Sequence, residues 1–370
     1  MKKVLKLIYL PLLCISFSAL SSCSKSDDRV KLTYGEVTHQ KYHEISYARL
    51  EKMIANKESF LLVVDPKGCA CFSYFMKASE DYIKDNHLVL YYMKVADFNG
   101  NENKGIKVVE GSTSFSIFNK GQIQQSIVSN SSTEIMEQKD KFVEYIDKYI
   151  RKPNMFLVTP SDLDNMYHNS NKSLIYFARN KCGDCSYINE HFLYDYMYER
   201  EDIMYVFDGD ESIRKYDDAG NLINGDEWNI FKENYGLASV HNPAYDGQAS
   251  IVNPIYGFDS GVVPTFLVVS GTTTETTFHS GAVAFNDMVT KVGNEYKVTN
   301  TYYSAARTSD LDYLNGLGSL ENIPVQKDDV YFYDPEETVG MWKQAASADY
   351  YFTRVKAFLD SYLPQATYRF

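Results

Sequence analysis

Residues 173–185 read SLIYFARNKCGDC, an apolar run that is followed, after three polar residues, by two cysteines separated by Gly and Asp. The run is almost continuously apolar, which predicts a strand buried in the middle of a sheet. The next segment predicts a helix that opens at Cys182, with Cys185 about one turn later. Because unsatisfied N–H groups and the helix dipole favour a thiolate at that position, Cys182 is the candidate nucleophile for disulfide exchange and Cys185 the candidate resolving thiol.

The elements on either side of this stretch predict an α/β domain. A helix is predicted at 161–168 and a strand at 203–207. A further strand at 263–269 begins with Val-Pro-Thr, far downstream of the cysteines. Strand, CxxC, helix and a later Val-Pro-Thr strand together resemble the thioredoxin family.

The resemblance implies a central mixed sheet flanked by helices and a cis-proline at Pro264 that faces the cysteine pair. It also implies that an extended substrate segment docks along Val263 and Pro264. Lys181, beside the pair, is a further candidate for substrate contact. No bound cofactor is implied beyond the redox-active disulfide itself.

Three residues depart from the family pattern. Lys181 stands where the family usually has Trp, Asp184 stands where Pro is common, and Tyr176 replaces the buried acid that many members hold six residues before the first cysteine. Lys181 favours the thiolate of the nucleophile and Asp184 disfavours it. The charges therefore leave open whether the pair oxidises or reduces its substrate.

The first half of the chain repeats the same order of elements. Its predicted elements are a helix at 46–56, a buried strand at 59–65, a helix from Cys71 to about 84, a strand at 87–95, a hairpin at 115–118 and 123–128, and a helix at 133–150. When Cys71 is laid on Cys185, Ser59 falls on Ser173 and Lys67 on Lys181 without a gap. The sequence therefore predicts an internal repeat.

This repeat predicts two tandem thioredoxin-like domains. The first covers 41–150 and the second covers 155–370, with a linker between them. The second is longer, which predicts insertions at about 208–261 and 272–332 near the rim of the sheet, where loops are tolerated and often carry specificity.

The cysteines of the first domain are closer together. Cys69-Ala70-Cys71 replaces CxxC, and Thr113 stands at the position of the cis-proline. A Cys-x-Cys disulfide closes a small ring that is expected to be reduced easily. The first domain is thus either a vestigial or auxiliary module or a possible second redox pair.

The N-terminus predicts export. Lys2, Lys3 and Lys6 precede an apolar stretch at 4–20, which is typical of a secretory signal. Residues 20–23 (LSSC) resemble a bacterial lipobox, which predicts a signal peptide at 1–22, a lipid on Cys23 and a polar tether at 23–40. The protein is therefore expected to be exported and lipid-anchored to a bacterial membrane, on its extracellular or periplasmic face. The alternative is an ordinary signal with a chance cysteine.

Cysteine usage supports redox chemistry. Of six cysteines, Cys14 lies in the predicted signal and Cys23 carries the lipid, which leaves two close pairs. A large domain in an oxidising compartment needs few disulfide staples, so close pairs favour redox function over scaffolding. A structural disulfide clip, or half of a zinc site completed by the other pair or by histidines, stays open for Cys182 and Cys185.

Composition narrows the other possibilities. The net charge is −12, without a basic stripe, so a nucleic-acid partner is not expected. The acidic run at 208–211 does not have the spacing of an EF-hand loop and is interpreted as a solvated loop. We interpret His39, His43 and His191 as structural or surface residues, and expect no metal site.

Two functional hypotheses follow. The first is a membrane-anchored thiol–disulfide oxidoreductase that acts through Cys182 and Cys185 on protein or small-molecule disulfides and thiols, with an unidentified redox partner. The second is a non-catalytic surface or scaffold lipoprotein that uses thioredoxin folds to bind proteins.

Overall fold

The computed structural model describes residues 27–217, 221–237, 240–241, 255–256, 263–279, 289–292, 295–298 and 344–370. The predicted signal peptide, Cys23 and much of both predicted insertions lie outside the described residues. No helix in the described part is long and apolar enough to span a membrane.

Short strands and helices alternate along the chain. In order, the strands are β1 (Val30–Lys31), β2 (Gly35–Glu36), β3 (His43–Glu44), β4 (Phe60–Asp65), β5 (Leu90–Lys94), β6 (Ser114–Asn119), β7 (Gln122–Val128), β8 (Ile150–Arg151), β9 (Met155–Leu157), β10 (Ser173–Ala178), β11 (Met204–Asp208), β12 (Val240–His241), β13 (Ile255–Tyr256), β14 (Thr265–Ser270), β15 (Thr273–His279), β16 (Val289–Val292) and β17 (Glu295–Val298). The α-helices are α1 (Tyr47–Ala55), α2 (Ala70–Asp85), α3 (Thr133–Glu137), α4 (Lys139–Tyr149), α5 (Pro160–Tyr167), α6 (Gly183–Ile188), α7 (Tyr194–Tyr198), α8 (Gly209–Ser212), α9 (Gly225–Asn234) and α10 (Gln344–Tyr362). Single 3₁₀ turns occur at Val95–Phe98 and Leu363–Gln365, and a π turn at Asn189–Leu193 joins α6 to α7.

The first module is built on a five-stranded sheet in the order β3-β5-β4-β6-β7. β3, β5 and β4 are parallel, and β6 pairs antiparallel with both β4 and β7. The central strand β4 is buried from Phe60 to Val64, as its apolar sequence predicts. α2 and α4 pack on one face of the sheet, where the ring of Phe75 lies 5.3 Å from that of Phe115 and 5.7 Å from that of Phe142.

The second module repeats this sheet. Its order is β15-β14-β10-β11-β9-β2, in which β10, β11 and β9 are parallel and β14 pairs antiparallel with both β10 and β15. Apart from the extra strand β2, the order β9-β11-β10-β14-β15 and the strand directions match those of β3-β5-β4-β6-β7 in the first sheet. The predicted fold class, two tandem thioredoxin-like domains of mixed sheet and flanking helices, is confirmed.

The register of the repeat differs from the predicted superposition by one residue. Val64 and Phe177 hold equivalent places, because each pairs with the first residue of the following antiparallel strand, Ser114 or Thr265. The spacing from Val64 to Phe177 lays Cys69 on Cys182, and these two cysteines are the N-caps of α2 and α6. The superposition of Cys71 on Cys185 is therefore wrong, since residue matches along the chain do not reveal the pairing register.

The N-terminal segment is part of both modules. β1 pairs in parallel with β8, which follows the last helix of the first module, and β2 forms an edge strand of the second sheet beside β9. Val30 and Leu32 are buried in the core of the first module. Residues 30–36, part of the predicted tether, are therefore folded; their strands are too short to carry a periodic sequence signal.

The second insertion begins later than its predicted start at 272. β15 starts at Thr273 and belongs to the core sheet, so the insertion follows His279. Two antiparallel strand pairs, β12–β13 and β16–β17, lie within the predicted insertions.

Candidate redox site

Cys182 lies at the N-terminus of α6, where the sequence predicts it. Its backbone is extended, and its Sγ accepts a hydrogen bond from the Cys185 N–H at 3.2 Å. Both residues are cysteine thiols; Cys182 is 8% exposed and Cys185 is 1% exposed. The strand ends at Ala178 and the helix begins at Gly183, so the turn between them places Cys182 at the N-cap and Cys185 in the first turn of the helix.

The loop before β14 lies opposite Cys182. The Val263–Pro264 peptide bond is cis, and Val263 is buried. The carbonyl oxygen of Val263 lies 3.7 Å from Cys182 Sγ. The structure thus brings the pair Cys182 and Cys185 next to the Val263–Pro264 peptide, which follows Cys182 by 81 residues in the sequence.

Lys181 precedes Cys182 directly, and its side chain lies against Tyr216. Its N–H donates to Asp210 Oδ2 at 2.9 Å, and its Nζ lies 3.5 Å from the centre of the Tyr216 ring. Because a cation over an aromatic face is attracted to it, this contact holds the ammonium group beside Tyr216.

Residues 208–211 are more ordered than the predicted solvated loop. Asp208 Oδ1 accepts hydrogen bonds from the N–H groups of Asn180 (3.2 Å), Asp210 (2.9 Å) and Glu211 (3.3 Å). Burial, and then the neighbouring Glu211 charge, raise the pKa of Asp208 to about 8. The interpretation of Asp208 as solvated is wrong: its carboxyl group anchors the turn that leads into Cys182. The sequence signal was its position directly after an apolar strand.

Tyr176 occupies the place of the family's buried acid. It is fully buried in the middle of β10, and its hydroxyl donates to Asn189 Oδ1 at 2.9 Å. Asn189 is also buried and begins the π turn. The Tyr176 and Asn189 side chains therefore form a neutral pair within the second module.

The helix that begins at Cys182 also lies against the first module. Three polar contacts connect the two: the hydroxyls of Tyr34 and Tyr194 at 2.8 Å, Lys57 with Glu190 at 3.5 Å, and Lys120 with Asp195 at 2.6 Å. At its far end, the buried Lys31 Nζ donates to the carbonyl oxygens of Met197 and Tyr198, each at 3.3 Å. The first module and the N-terminal segment thus contact the second half of this helix, from Glu190 to Tyr198.

Arg49 of the first module reaches the acidic loop of the second. It lies 3.3 Å from the carboxylate of Glu58 and 3.4 Å from that of Glu211. Glu58 is 2% exposed at its side chain; burial raises its pKa and Arg49 opposes that shift. Arg49, paired with both carboxylates, therefore links the core of the first module to the acidic loop beside Cys182.

The first cysteine pair forms a disulfide. Cys69 and Cys71 have their Cα atoms 5.1 Å apart, and the Cys71 N–H lies 3.1 Å from Cys69 Sγ. Cys71 is 8% exposed, and its Sγ accepts contacts from Thr113, from the N–H at 3.4 Å and from the Oγ1 hydroxyl at 3.2 Å. In this module, therefore, the second cysteine, Cys71, faces the loop before β6.

The histidines singled out in the sequence make local contacts. The buried Glu36 carboxylate lies between His39 Nδ1 (3.0 Å) and His43 Nε2 (2.7 Å). His191 packs beside Tyr187, with ring centres 4.6 Å apart. Within the ranges that the structure describes, no group of three or more His, Cys, Asp and Glu side chains is arranged to hold a metal ion.

Comparison with known proteins gives similarity at the level of structure alone. No family model and no curated protein matches the chain. The zinc-bound form of human ERp44 is 13% identical over 45% of this chain and 47% of its own, with a TM-score of 0.22. Full-length ERdj5 is 12% identical over 46% of this chain and 23% of its own, with a TM-score of 0.23.

A third structure, the first two thioredoxin domains of Naumovozyma dairenensis Eps1p, is 10% identical over 67% of this chain and 96% of its own, with a TM-score of 0.21. The match spans less than half the length of ERp44 and less than a quarter of ERdj5. The sheet order of both modules itself identifies the chain as having a thioredoxin-like fold.

Proposed function

We propose that the chain is a thiol–disulfide oxidoreductase that acts through Cys182 and Cys185. The observation that carries the proposal is the position of Cys182 Sγ, at a helix N-terminus, hydrogen-bonded to the Cys185 N–H and 3.7 Å from the Val263 carbonyl oxygen. A thiolate at that position is favoured by the helix dipole and by the donated N–H. An extended substrate segment that pairs with the backbone at Val263 brings its own sulfur next to the attacking one.

The exchange has two steps. The Cys182 thiolate attacks one sulfur of the substrate disulfide; the substrate S–S bond breaks, one substrate sulfur leaves as a thiolate, and a mixed disulfide with Cys182 forms. Cys185, as a thiolate, then attacks Cys182 Sγ and releases the second substrate thiol. Two electrons pass to the substrate, and the Cys182–Cys185 disulfide is reduced again by a dithiol partner. The same steps in reverse oxidise a substrate dithiol.

Trapping the mixed disulfide tests this proposal. In Cys185→Ser, the resolving thiol is missing, so a model disulfide substrate should remain covalently attached at Cys182, as mapped by peptide mass spectrometry. The matched control, Cys182→Ser with Cys185→Ser, should carry no adduct at either position. A Cys185→Ser protein that acquires no adduct at Cys182 would contradict the proposal and favour a binding role.

We further propose that this exchange takes place outside the cytoplasmic membrane on a lipid anchored at Cys23. The lipobox-like LSSC sequence at 20–23 supports this. Cells labelled with palmitate should incorporate the label into the wild type but not into Cys23→Ala; equal labelling of both would contradict the anchor.

A further inference from the structure

The first cysteine pair has its own geometry for exchange. We propose that the Cys69–Cys71 disulfide is a second redox site that accepts electrons from a dithiol, with attack at Cys69 and with Thr113 stabilising Cys71 as the leaving thiolate. The site lies in the first module and does not depend on the function proposed for Cys182. It differs from the second site in which sulfur faces the opposite loop.

Access selects the sulfur that is attacked. Cys69 is half-buried and stands between exposed neighbours, Gly68 and Ala70, whereas Cys71 is buried in the first turn of α2. Gly68 adopts a positive φ of 82°, and a Cβ at this position would have no heavy atom within 4 Å, so the approach to Cys69 is open on this side. An incoming thiolate therefore reaches Cys69 Sγ before Cys71 Sγ.

Hydrogen-bond donors select the sulfur that leaves. The fully buried Thr113 offers two, its N–H at 3.4 Å and its hydroxyl at 3.2 Å, both directed at Cys71 Sγ, whereas Cys69 Sγ accepts one, the Cys71 N–H at 3.1 Å. Donors that point at a sulfur favour its thiolate form, and a leaving thiol of lower pKa departs faster. The equivalent residue of the second module is Pro264, which has neither an N–H nor a hydroxyl to give. Thr113 is thus a specific feature of the Cys-x-Cys site.

The exchange transfers two electrons from the partner dithiol to the Cys69–Cys71 disulfide. A thiolate of the partner dithiol attacks Cys69 Sγ, the Cys69–Cys71 bond breaks, and Cys71 leaves with the electron pair as a thiolate held by Thr113. The second partner thiol, once deprotonated, attacks the partner sulfur bound to Cys69, which releases Cys69 and closes the partner disulfide. The partner loses two electrons, and Cys69 and Cys71 become thiols after proton uptake.

The test uses a chain in which only this pair can react, Cys182→Ser with Cys185→Ser, in its oxidised form. Glutathione, a monothiol, is added, the released thiolate is alkylated at once, and the peptides are mapped by mass spectrometry. We expect glutathione on Cys69 and the alkyl group on Cys71. Glutathione mainly on Cys71, or divided evenly between the two sulfurs, would overturn the assignment.

Variants of Thr113 test its role in the same background. Thr113→Val removes the hydroxyl at nearly constant volume and should slow adduct formation about tenfold or more, the effect of losing one hydrogen bond to a charged group. Thr113→Ser keeps the hydroxyl and should restore most of the rate, which separates loss of the donor from misfolding. Thr133→Val, the same change in a threonine whose hydroxyl donates to the Ser129 carbonyl, serves as the control and should leave the rate unchanged. Equal rates in Thr113→Val and the parent chain would overturn the role of Thr113.

Discussion

The two cysteine sites share a helix N-terminus and differ in the sulfur that meets the opposite loop. In the second module the first cysteine, Cys182, lies 3.7 Å from the carbonyl oxygen of Val263. In the first module the second cysteine, Cys71, lies 3.2 Å from the hydroxyl of Thr113. Both first cysteines are N-caps, but Cys71 is the second residue of its helix and Cys185 is the third, which accounts for the difference.

One residue of spacing between the two cysteines changes which sulfur contacts the loop opposite the helix. Beside Cys182 the loop presents a backbone carbonyl, which suits the docking of an extended substrate next to an attacking sulfur. Beside Cys71 it presents donors, which suit a departing thiolate. The same loop of the fold is thus suited to substrate docking beside the attacking sulfur in the second module, and to stabilising the leaving sulfur in the first.

The largest effect is expected from removing the attacking sulfur of the second site. In a chain with Cys69→Ser and Cys71→Ser, only that site can act, and adding Cys182→Ser should lower turnover of a model disulfide by at least about 1000-fold, the scale on which loss of a nucleophile acts. A triple variant that keeps more than a tenth of the turnover would show that Cys182 is not the attacking sulfur of the second site.

The next largest effect concerns the connection between the two sites. Arg49→Met leaves the Glu58 carboxylate buried without its partner, and we expect the free energy of unfolding to fall by about 3 kcal/mol, measured by urea denaturation. The control, Lys120→Met, removes an exposed ion pair with Asp195 and should cost less than about 1 kcal/mol. Equal losses in the two variants would argue against a buried link through Arg49.

The free energy of unfolding should depend on pH through Asp208, at the end of the strand that follows the second cysteine helix. The equivalent strand of the first module has no such group. β5 ends at Lys94, which is exposed, whereas β11 ends at Asp208, whose pKa is raised to about 8. Between about pH 4 and pH 8 the folded chain keeps a proton on Asp208 that the unfolded chain has released, so stability falls as pH rises, by at most about 1.4 kcal/mol per pH unit for this one group.

Asp208→Asn keeps an oxygen to accept the backbone N–H bonds and cannot titrate. Its urea midpoint should therefore fall less steeply from pH 5 to pH 8 than that of the wild type. Parallel midpoint curves for the two proteins would rule out Asp208 as the titrating group.

The smallest effect is expected at Tyr176, whose equivalent in the first module is Val63. Tyr176→Phe removes the donor to the buried Asn189 oxygen and should lower the free energy of unfolding by about 1 kcal/mol. Tyr145→Phe is a matched control, because the buried Tyr145 hydroxyl has no hydrogen-bond partner in the part of the chain that the structure describes. A larger loss in the control than in Tyr176→Phe would contradict the proposed pair.

Local sequence patterns predicted the parts of the fold that are set by burial and chain turns. The apolar runs at β4 and β10 are the central strands, and the helix opens at Cys182 because the cysteine caps it. These features depend on neighbours in sequence. The approach of Val263 to Cys182 came from the family resemblance rather than from spacing.

The features that the sequence missed depend on pairing over long distances. The one-residue shift between Cys71 and Cys185 is set by strand register, and β2 joins the second sheet although it precedes the first. The contact of Thr113 with Cys71 and the shielding of Asp208 likewise arise from segments brought together by the sheets. Their residue types alone, a threonine and an acidic run, are typical of exposed loops.

Competitive alkylation of the reduced protein tests most directly whether Cys182 is the attacking sulfur. Limiting iodoacetamide at neutral pH, followed by a second mass-distinct reagent under denaturing conditions, gives the relative reactivity of Cys182 and Cys185 in one sample. We expect Cys182, at the helix N-terminus and 8% exposed, to be alkylated before Cys185, which is 1% exposed. Labelling of Cys185 as fast as Cys182, or faster, would contradict it.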